Sequence, residues 1–179
     1  PANPEIHMKT TGPEIWEDTE GKITHFVCGI GTGGNFPGSE ILEREKPNIK
    51  TIAVDPEGSI FAEYINNRKE TEGYAYKIEG IGSYLVTKAM HPDLVDMVIT
   101  VSDKDAFTRA RLISKREGIS GGGSSGAVAV AIEKIARDLG PDSLIVGVFA
   151  DSGIRYLSKC YNDNWMRKFG YLPKAEVQK

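Results

Sequence analysis

The stretch CGIGTGGNFPGSE, residues 28–40, follows the apolar run from His25 and puts five glycines into ten positions before a helix-like pattern begins at Pro37. A buried strand that runs into a glycine loop and then a helix is the first half of a parallel crossover. Glycines let backbone N–H groups approach an oxyanion with no Cβ in the way. The helix behind them adds unpaired donors and about half a positive charge. The expected guest of such a loop is a phosphate. Gly29-Ile30-Gly31-Thr32-Gly33-Gly34 also satisfies the G-x-G-x-x-G spacing, and Asp55 closes the next apolar run, Thr51 to Val54. An NAD-type dinucleotide module is therefore one reading, and a tight turn with no ligand is another.

Outward from this loop the same alternation continues. Thr11-Gly12-Pro13-Glu14 has capping-box spacing and predicts a short helix over Pro13 to Asp18. Met97 to Val101 predicts a strand, and Ser102-Asp103-Lys104-Asp105 caps a helix through about Arg116. Ser124 to Leu139 predicts an Ala/Val/Ile-rich helix, Leu144 to Phe149 a strand covered on both faces, and Arg155 to Tyr161 a last helix. Alternating strands and helices imply an α/β fold: an open, mostly parallel sheet flanked by helices on both faces, in three αβα layers. Ligands of such sheets bind at the carboxyl ends of the strands. Three features share that edge: Gly31 to Asn35, Gly121 to Ser125, and Ala150-Asp151-Ser152.

Composition narrows the function classes. The 179 residues are 40% hydrophobic and 26% charged, ordinary for one packed core, and the net charge of −3 argues against a nucleic-acid binder. No apolar run is long enough to span a membrane. Cys28 and Cys160 stand far apart, and His7, His25 and His91 are scattered, so no metal site is expected. The cysteine usage fits a cytoplasmic protein with reduced thiols. The opening Pro1-Ala2-Asn3-Pro4 reads as extended and loop-like, as if from the middle of a longer chain.

The second loop, Ser120-Gly121-Gly122-Gly123-Ser124-Ser125, places two hydroxyls at a helix start. They serve either as simple N-caps or as neutral partners of a ligand. A phosphate cradle together with a neutral hydroxyl partner points to a phosphorylated heteroaromatic. A serine beside a pyridine nitrogen leaves that nitrogen unprotonated, whereas a carboxylate would protonate it.

Several segments, in the order in which they occur, resemble the fold-type II pyridoxal-phosphate enzymes of the cystathionine β-synthase and cysteine synthase family. They are Asn3 to His7, Thr10 to Trp16, Gly29 to Gly34, Val54 to Ile60, Glu79 to Gly82, Gly122 to Ala127, and Asp151-Ser152 through Trp165-Met166. The resemblance implies the large domain of the tryptophan synthase β-like enzymes. Residues 1–166 would be its carboxyl-terminal part and 167–179 a tail. It implies that Gly31, Thr32, Gly33, Gly34 and Asn35 hold the phosphate of pyridoxal 5′-phosphate, that Ser124 faces the pyridine nitrogen, and that Asp151 lies near the ring. Gly80, Ile81 and Gly82 would line the substrate mouth. On residue chemistry alone, Gly80 to Gly82 also reads as a plain turn and Asp151 as an N-cap of the last helix. The sequence departs from the family at Asn35, where Thr is usual, and at Pro37, which removes a backbone donor.

The family's Schiff-base lysine lies in a Ser-x-Lys-Asp-Arg type of motif that these residues do not contain, so no catalytic residue is expected in this chain. The resemblance implies a β-replacement enzyme, a lyase or transferase. It would join serine or O-acetylserine to homocysteine to give cystathionine, or, as the alternative, O-acetylserine to sulfide as a cysteine synthase. The expected partners are small amino-acid substrates, an amino-terminal half of the same enzyme, and a second copy in a homodimer, with no nucleic acid and no membrane.

Overall fold

The computed structural model describes residues 2–31, 37–87 and 90–174. Its helices are α1 (Ala2–Lys9), α2 (Thr11–Asp18), α3 (Pro37–Glu45), α4 (Phe61–Asn67), α5 (Asp103–Glu117), α6 (Gly123–Ala136) and α7 (Asp163–Lys168). Its strands are β1 (His25–Gly29), β2 (Lys50–Pro56), β3 (Met97–Val101) and β4 (Ile145–Gly147). The four strands form one sheet in the order β3-β2-β1-β4, and every pairing is parallel.

Strand alternation sorts the apolar residues into two layers. Val27, Ile52 and Val54 face one way and join Ala106 and Phe107 of α5 and Ala127, Val128 and Ala131 of α6. Phe26, Cys28 and Ala53 face the other way and join Leu42 of α3 and Phe61 and Ile65 of α4. Successive Cβ atoms of a strand point to opposite faces, so a continuous apolar run must be covered twice, and the helices supply the cover. Open three-layer αβα architecture is therefore as the sequence implies.

The chain steps from β1 to β2 to β3 in one direction and then returns to place β4 on the other side of β1. Strand order reverses between β1 and β4. The crevice beyond their carboxyl ends is where open α/β sheets take their ligands.

The structure corrects several local expectations. The opening is the helix α1, not an extended segment. Pro4 falls in the first turn, where a missing N–H removes no hydrogen bond. The capping box at Thr11 does not form. α2 follows α1 so closely that Thr10 N donates to Ile6 O (2.9 Å) and Glu14 N to Thr10 O (2.9 Å), and backbone carbonyls do the capping. β4 is shorter than expected, three half-buried residues at the edge of the sheet that pair only with β1, yet Ile145 packs against the α5–α6 layer and Val146 against the α3–α4 layer, so both faces are covered as expected. In place of a helix over Arg155 to Tyr161 there is a 3₁₀ turn, Gly153–Tyr156, followed by α7. The cap on α5 is as expected, with Ser102 Oγ accepting from Asp105 N at 3.1 Å.

Candidate active site

Three chain segments meet beyond the carboxyl ends of β1 and β4. The first continues β1 through Ile30 and Gly31. It lies against the loop 80–82: Gly82 N donates to Ile30 O at 2.6 Å, and a Cβ on Gly31 would stand 2.8 Å from the carbonyl oxygen of Gly80. A Cβ on Gly29 would meet Ile81 Cγ2 at 2.5 Å. The glycines at 29 and 31 are therefore set by a neighbouring chain segment and not by the turn alone. Thr32, Gly33, Gly34 and Asn35, the other residues read as a phosphate cradle, lie outside the described residues.

The second segment is the start of α6. Ser124 and Ser125 are both buried, at 5% and 2% exposure. Neither caps the helix: the N-cap is Gly122, and no side chain bonds the first-turn N–H groups. The capping alternative for the two serines therefore fails. The Ser125 hydroxyl is buried with no hydrogen-bond partner. The fourteen-residue helix α6 thus starts with no side-chain cap, two buried serines in its first turn and the Ser125 hydroxyl unpartnered.

The third segment comes after β4. Ser152 bridges Gly121 in antiparallel fashion, Gly122 N donates to Asp151 O (3.3 Å), and Gly153 N donates to Ser120 O (2.9 Å), so this segment is stitched to the mouth of α6. Asp151 is not the N-cap of the 3₁₀ turn Gly153–Tyr156; Ser152 Oγ takes that place, accepting from Ile154 N. Asp151 Oδ2 accepts from the Tyr156 hydroxyl at 2.6 Å, while its Oδ1 is buried and unpartnered. Burial and then the Asp151 carboxylate hold the Tyr156 phenol above its ordinary pKa, so it stays a donor. Tyr161 donates to Gly121 O at 2.7 Å and fixes the glycine run from behind.

Gly80, Ile81 and Gly82 line a 370 Å³ cavity together with Gly31, Tyr76 and Ser83. Gly80 and Gly82 have φ of +83° and +80°, so the segment is a turn, as its glycines allow, and it also walls a cavity. Ser83 N donates to Ser59 Oγ at 3.0 Å, which ties the loop to the start of α4. Beneath it Asp55 is fully buried, with Oδ2 accepting from Ala62 N at 2.9 Å and Oδ1 unpartnered. Burial pushes its carboxyl up to about 6, against the opposing pull of Ser59 and Ala62. An Asp55 committed to a helix start inside the core has no free oxygen at the surface for a ribose, so the dinucleotide reading fails on geometry.

Gly31, the serines of α6, Asp151 and the loop 80–82 are thus brought to one edge of the sheet. Sequence reasoning missed Tyr156 and the burial of Asp55. The apolar run Thr51 to Val54, with Asp55 continuing it inward, was the available sign of the second. Cys160 is fully buried, with its thiol pushed up to about 11 by burial, which makes it a packing residue and not a nucleophile. Among the described residues no cluster of three metal-ligating side chains occurs, and no helix is long and apolar enough to cross a membrane.

Residues 1–151 match the family described as "Pyridoxal-phosphate dependent enzyme". The chain belongs to the pyridoxal-phosphate dependent enzymes. Within this family it is similar to cystathionine beta-synthase of Apis mellifera, 38% identical over 96% of this chain and 34% of the relative. It is also similar to cysteine synthase of Buchnera aphidicola subsp. Schizaphis graminum, 41% identical over 88% of this chain and 50% of the relative. Cysteine synthase A of Escherichia coli K12 is 40% identical over 88% of this chain and 50% of its own. The chain spans between a third and a half of the length of the curated relatives it matches. The family's cofactor is pyridoxal phosphate, and its relatives here carry β-replacement names, so the sequence resemblance to that family stands.

Proposed function

We propose that these residues form the phosphate wall and ring wall of a pyridoxal-phosphate site, in an enzyme that replaces a β-substituent of an amino acid. The observation that carries the reading is the α6 mouth. Buried Ser124 and Ser125 and uncapped first-turn amides stand at the point where strand order reverses, with no local use for their hydrogen-bonding groups. The residues fit the cofactor. The backbone approach at Gly31 tolerates no Cβ, the hydroxyls are neutral, and the unpartnered Ser125 Oγ and Asp151 Oδ1 are polar atoms in want of a guest.

In this reading Gly31, Thr32, Gly33, Gly34 and Asn35 hold the phosphate, and Ser124 takes the pyridine nitrogen through its hydroxyl. When bound, the cofactor supplies the electron sink for carbanion chemistry at the substrate α-carbon. The chain's own residues orient and exclude. Tyr156 fixes the Asp151 carboxylate by the ring, and a hydroxyl at Ser124 keeps the nitrogen's neighbourhood uncharged. Ile81, buried against Gly29, closes the mouth to water. In this reading the Schiff-base lysine comes from a part of the enzyme outside these 179 residues.

The preferred reaction is cystathionine formation from homocysteine and serine or O-acetylserine. The cystathionine beta-synthase of Apis mellifera aligns over 96% of the chain and the cysteine synthases over 88%, so the first likeness extends further through the chain. A cytoplasmic homodimer completed by an amino-terminal half fits this role. Mixing the chain with an amino-terminal half of such an enzyme and pyridoxal 5′-phosphate tests it. Cystathionine from serine or O-acetylserine and homocysteine is the expected product. Cysteine from O-acetylserine and sulfide alone would move the assignment to the cysteine synthases. In the active complex, Ser124→Asp should alter the partition between replacement and side reactions, and an unchanged partition would reject the role given to Ser124.

A further inference from the structure

The mouth loop is anchored at both ends, and Ile81 and Gly82 are seated on the β1 extension, which leaves Gly80 as its open point. Upstream, the Asp103 carboxylate accepts from Lys77 N (2.9 Å) and Ile78 N (3.0 Å), and it is itself fixed by the Tyr171 hydroxyl (2.9 Å). Downstream, Ser83 exchanges two hydrogen bonds with Ser59 (3.0 and 3.2 Å). Between these anchors Gly80 and Gly82 stand at positive φ, and a Cβ at Gly80 would touch nothing within 4 Å. Across the cleft, the Glu79 carboxylate meets the Lys159 ammonium, eighty positions away in sequence. Lys159 belongs to the segment that carries Asp151: its N–H donates to Tyr156 O (2.9 Å), and its ammonium lies 6.0 Å from the Tyr156 ring.

We propose that the Glu79–Lys159 ion pair is a positioning strap that ties the mouth loop to the Asp151–Tyr156 wall and so sets how far the cleft opens to an amino-acid substrate. The inference rests on the reading of this cleft as a pyridoxal-phosphate site. The two side chains are about half exposed, 51% for Glu79 and 41% for Lys159, so solvent screens them. Such a pair shifts a two-state population by about fivefold or less. That weakness suits a strap: it biases a glycine hinge between fixed anchors, yet it releases within the lifetime of a substrate encounter.

Amide hydrogen exchange on the ligand-free 179-residue chain tests the strap. Lys159→Met should raise exchange at Gly80, Ile81 and Gly82 by about three- to fivefold and leave the melting temperature and the rest of the sheet unchanged. Lys159→Arg should behave as wild type, and the exchanged pair Glu79→Lys with Lys159→Glu should recover the protection. Salt at about 0.5 M should bring the wild type toward Lys159→Met and leave Lys159→Met itself unmoved. Unchanged exchange at the three positions in Lys159→Met would overturn the proposal. So would a rise spread over the whole chain with a lowered melting temperature, which marks a merely structural contact. A separate titration with pyridoxal 5′-phosphate keeps the two readings apart: failure to bind removes the cofactor site and leaves the exchange result to decide the strap.

Discussion

At the mouth of α6 a Cβ on Gly122 would lie 2.3 Å from Asp151 Oδ1, and one on Gly126 would lie 1.9 Å from the carbonyl oxygen of Ala106. At Gly80, on the loop 80–82, the reverse holds: a Cβ there meets nothing, but φ is +83°. Both walls of the cleft are glycine-rich, for different physical reasons. The α6 wall needs glycine because neighbours have already taken the space. The mouth loop needs it because the backbone turns where side-chain-bearing residues are strained. A wall made by crowding is rigid, since interiors packed to crystal density transmit any displacement. A wall made by dihedral angle is a hinge whose setting is open to weak contacts. The fold thus offers a fixed floor for a planar cofactor and an adjustable lip for substrates.

The largest expected effect tests the rigid wall. Gly126→Ala drives a methyl group into the backbone of α5, where neither partner is a flexible side chain. It should cost about 3 to 5 kcal/mol in urea unfolding, at or beyond the upper end for overpacking. A cost under about 1 kcal/mol would mean that α5 and α6 slide apart easily. The contrast between floor and lip would then be lost.

Asp55 sharpens the comparison from below, since Ala62 and Ser59 connect it to the lip. Its carboxyl is raised from 3.8 to about 6, so the native state keeps a proton that the unfolded chain has already released. Its contribution to stability therefore falls as pH rises from about 4 to about 6 and stays lost above that window. Asp55→Asn can still accept from Ala62 N and carries no charge. It should match wild type near pH 4 and exceed it by about 2 to 3 kcal/mol at neutral pH, two pKa units at about 1.36 kcal/mol each. Urea titrations of both proteins across the window measure the difference. A constant offset at every pH would show that the carboxyl titrates normally.

Legibility from sequence divides along the same line. β1, β2, β3 and the Ser102 cap on α5 could be read because each rests on a local signal: an apolar run, or a hydroxyl three residues before its amide. The brevity of β4 could not. An apolar run such as Leu144 to Phe149 reports a tendency to be buried, but not how many neighbours the strand has. α1 was hidden by Pro4, a residue type that breaks a helix interior but is harmless in the first turn. The Tyr156–Asp151 pair spans only five positions, but the 3₁₀ turn that closes it has no sequence signature. The burial of the unpartnered oxygens of Ser125 and Asp151 depends on segments distant in the chain meeting at one edge, which no local pattern encodes. Gly80 to Gly82 were legible as a turn, but their contact with Gly31 and Ile30 was not.

The smallest effects probe the lip and separate strain from contact. Gly80→Ala adds only the dihedral cost of a side chain at φ +83°, about 1 kcal/mol, because the space around it is open. Gly82→Ala adds a similar dihedral cost at φ +80° and also pushes a methyl group within 2.6 Å of Tyr76 Oη and 2.9 Å of Pro56 Cδ. It should cost about 2 kcal/mol or more in total. Equal losses at the two positions would mean that Tyr76 swings away freely, and that Gly82 is held only by its N–H bond to Ile30. A larger loss at Gly82 would place the hinge between a free residue and a seated one. Gly80 would then be the point about which the lip turns, with Gly82 staying docked on the strand extension that carries Gly31.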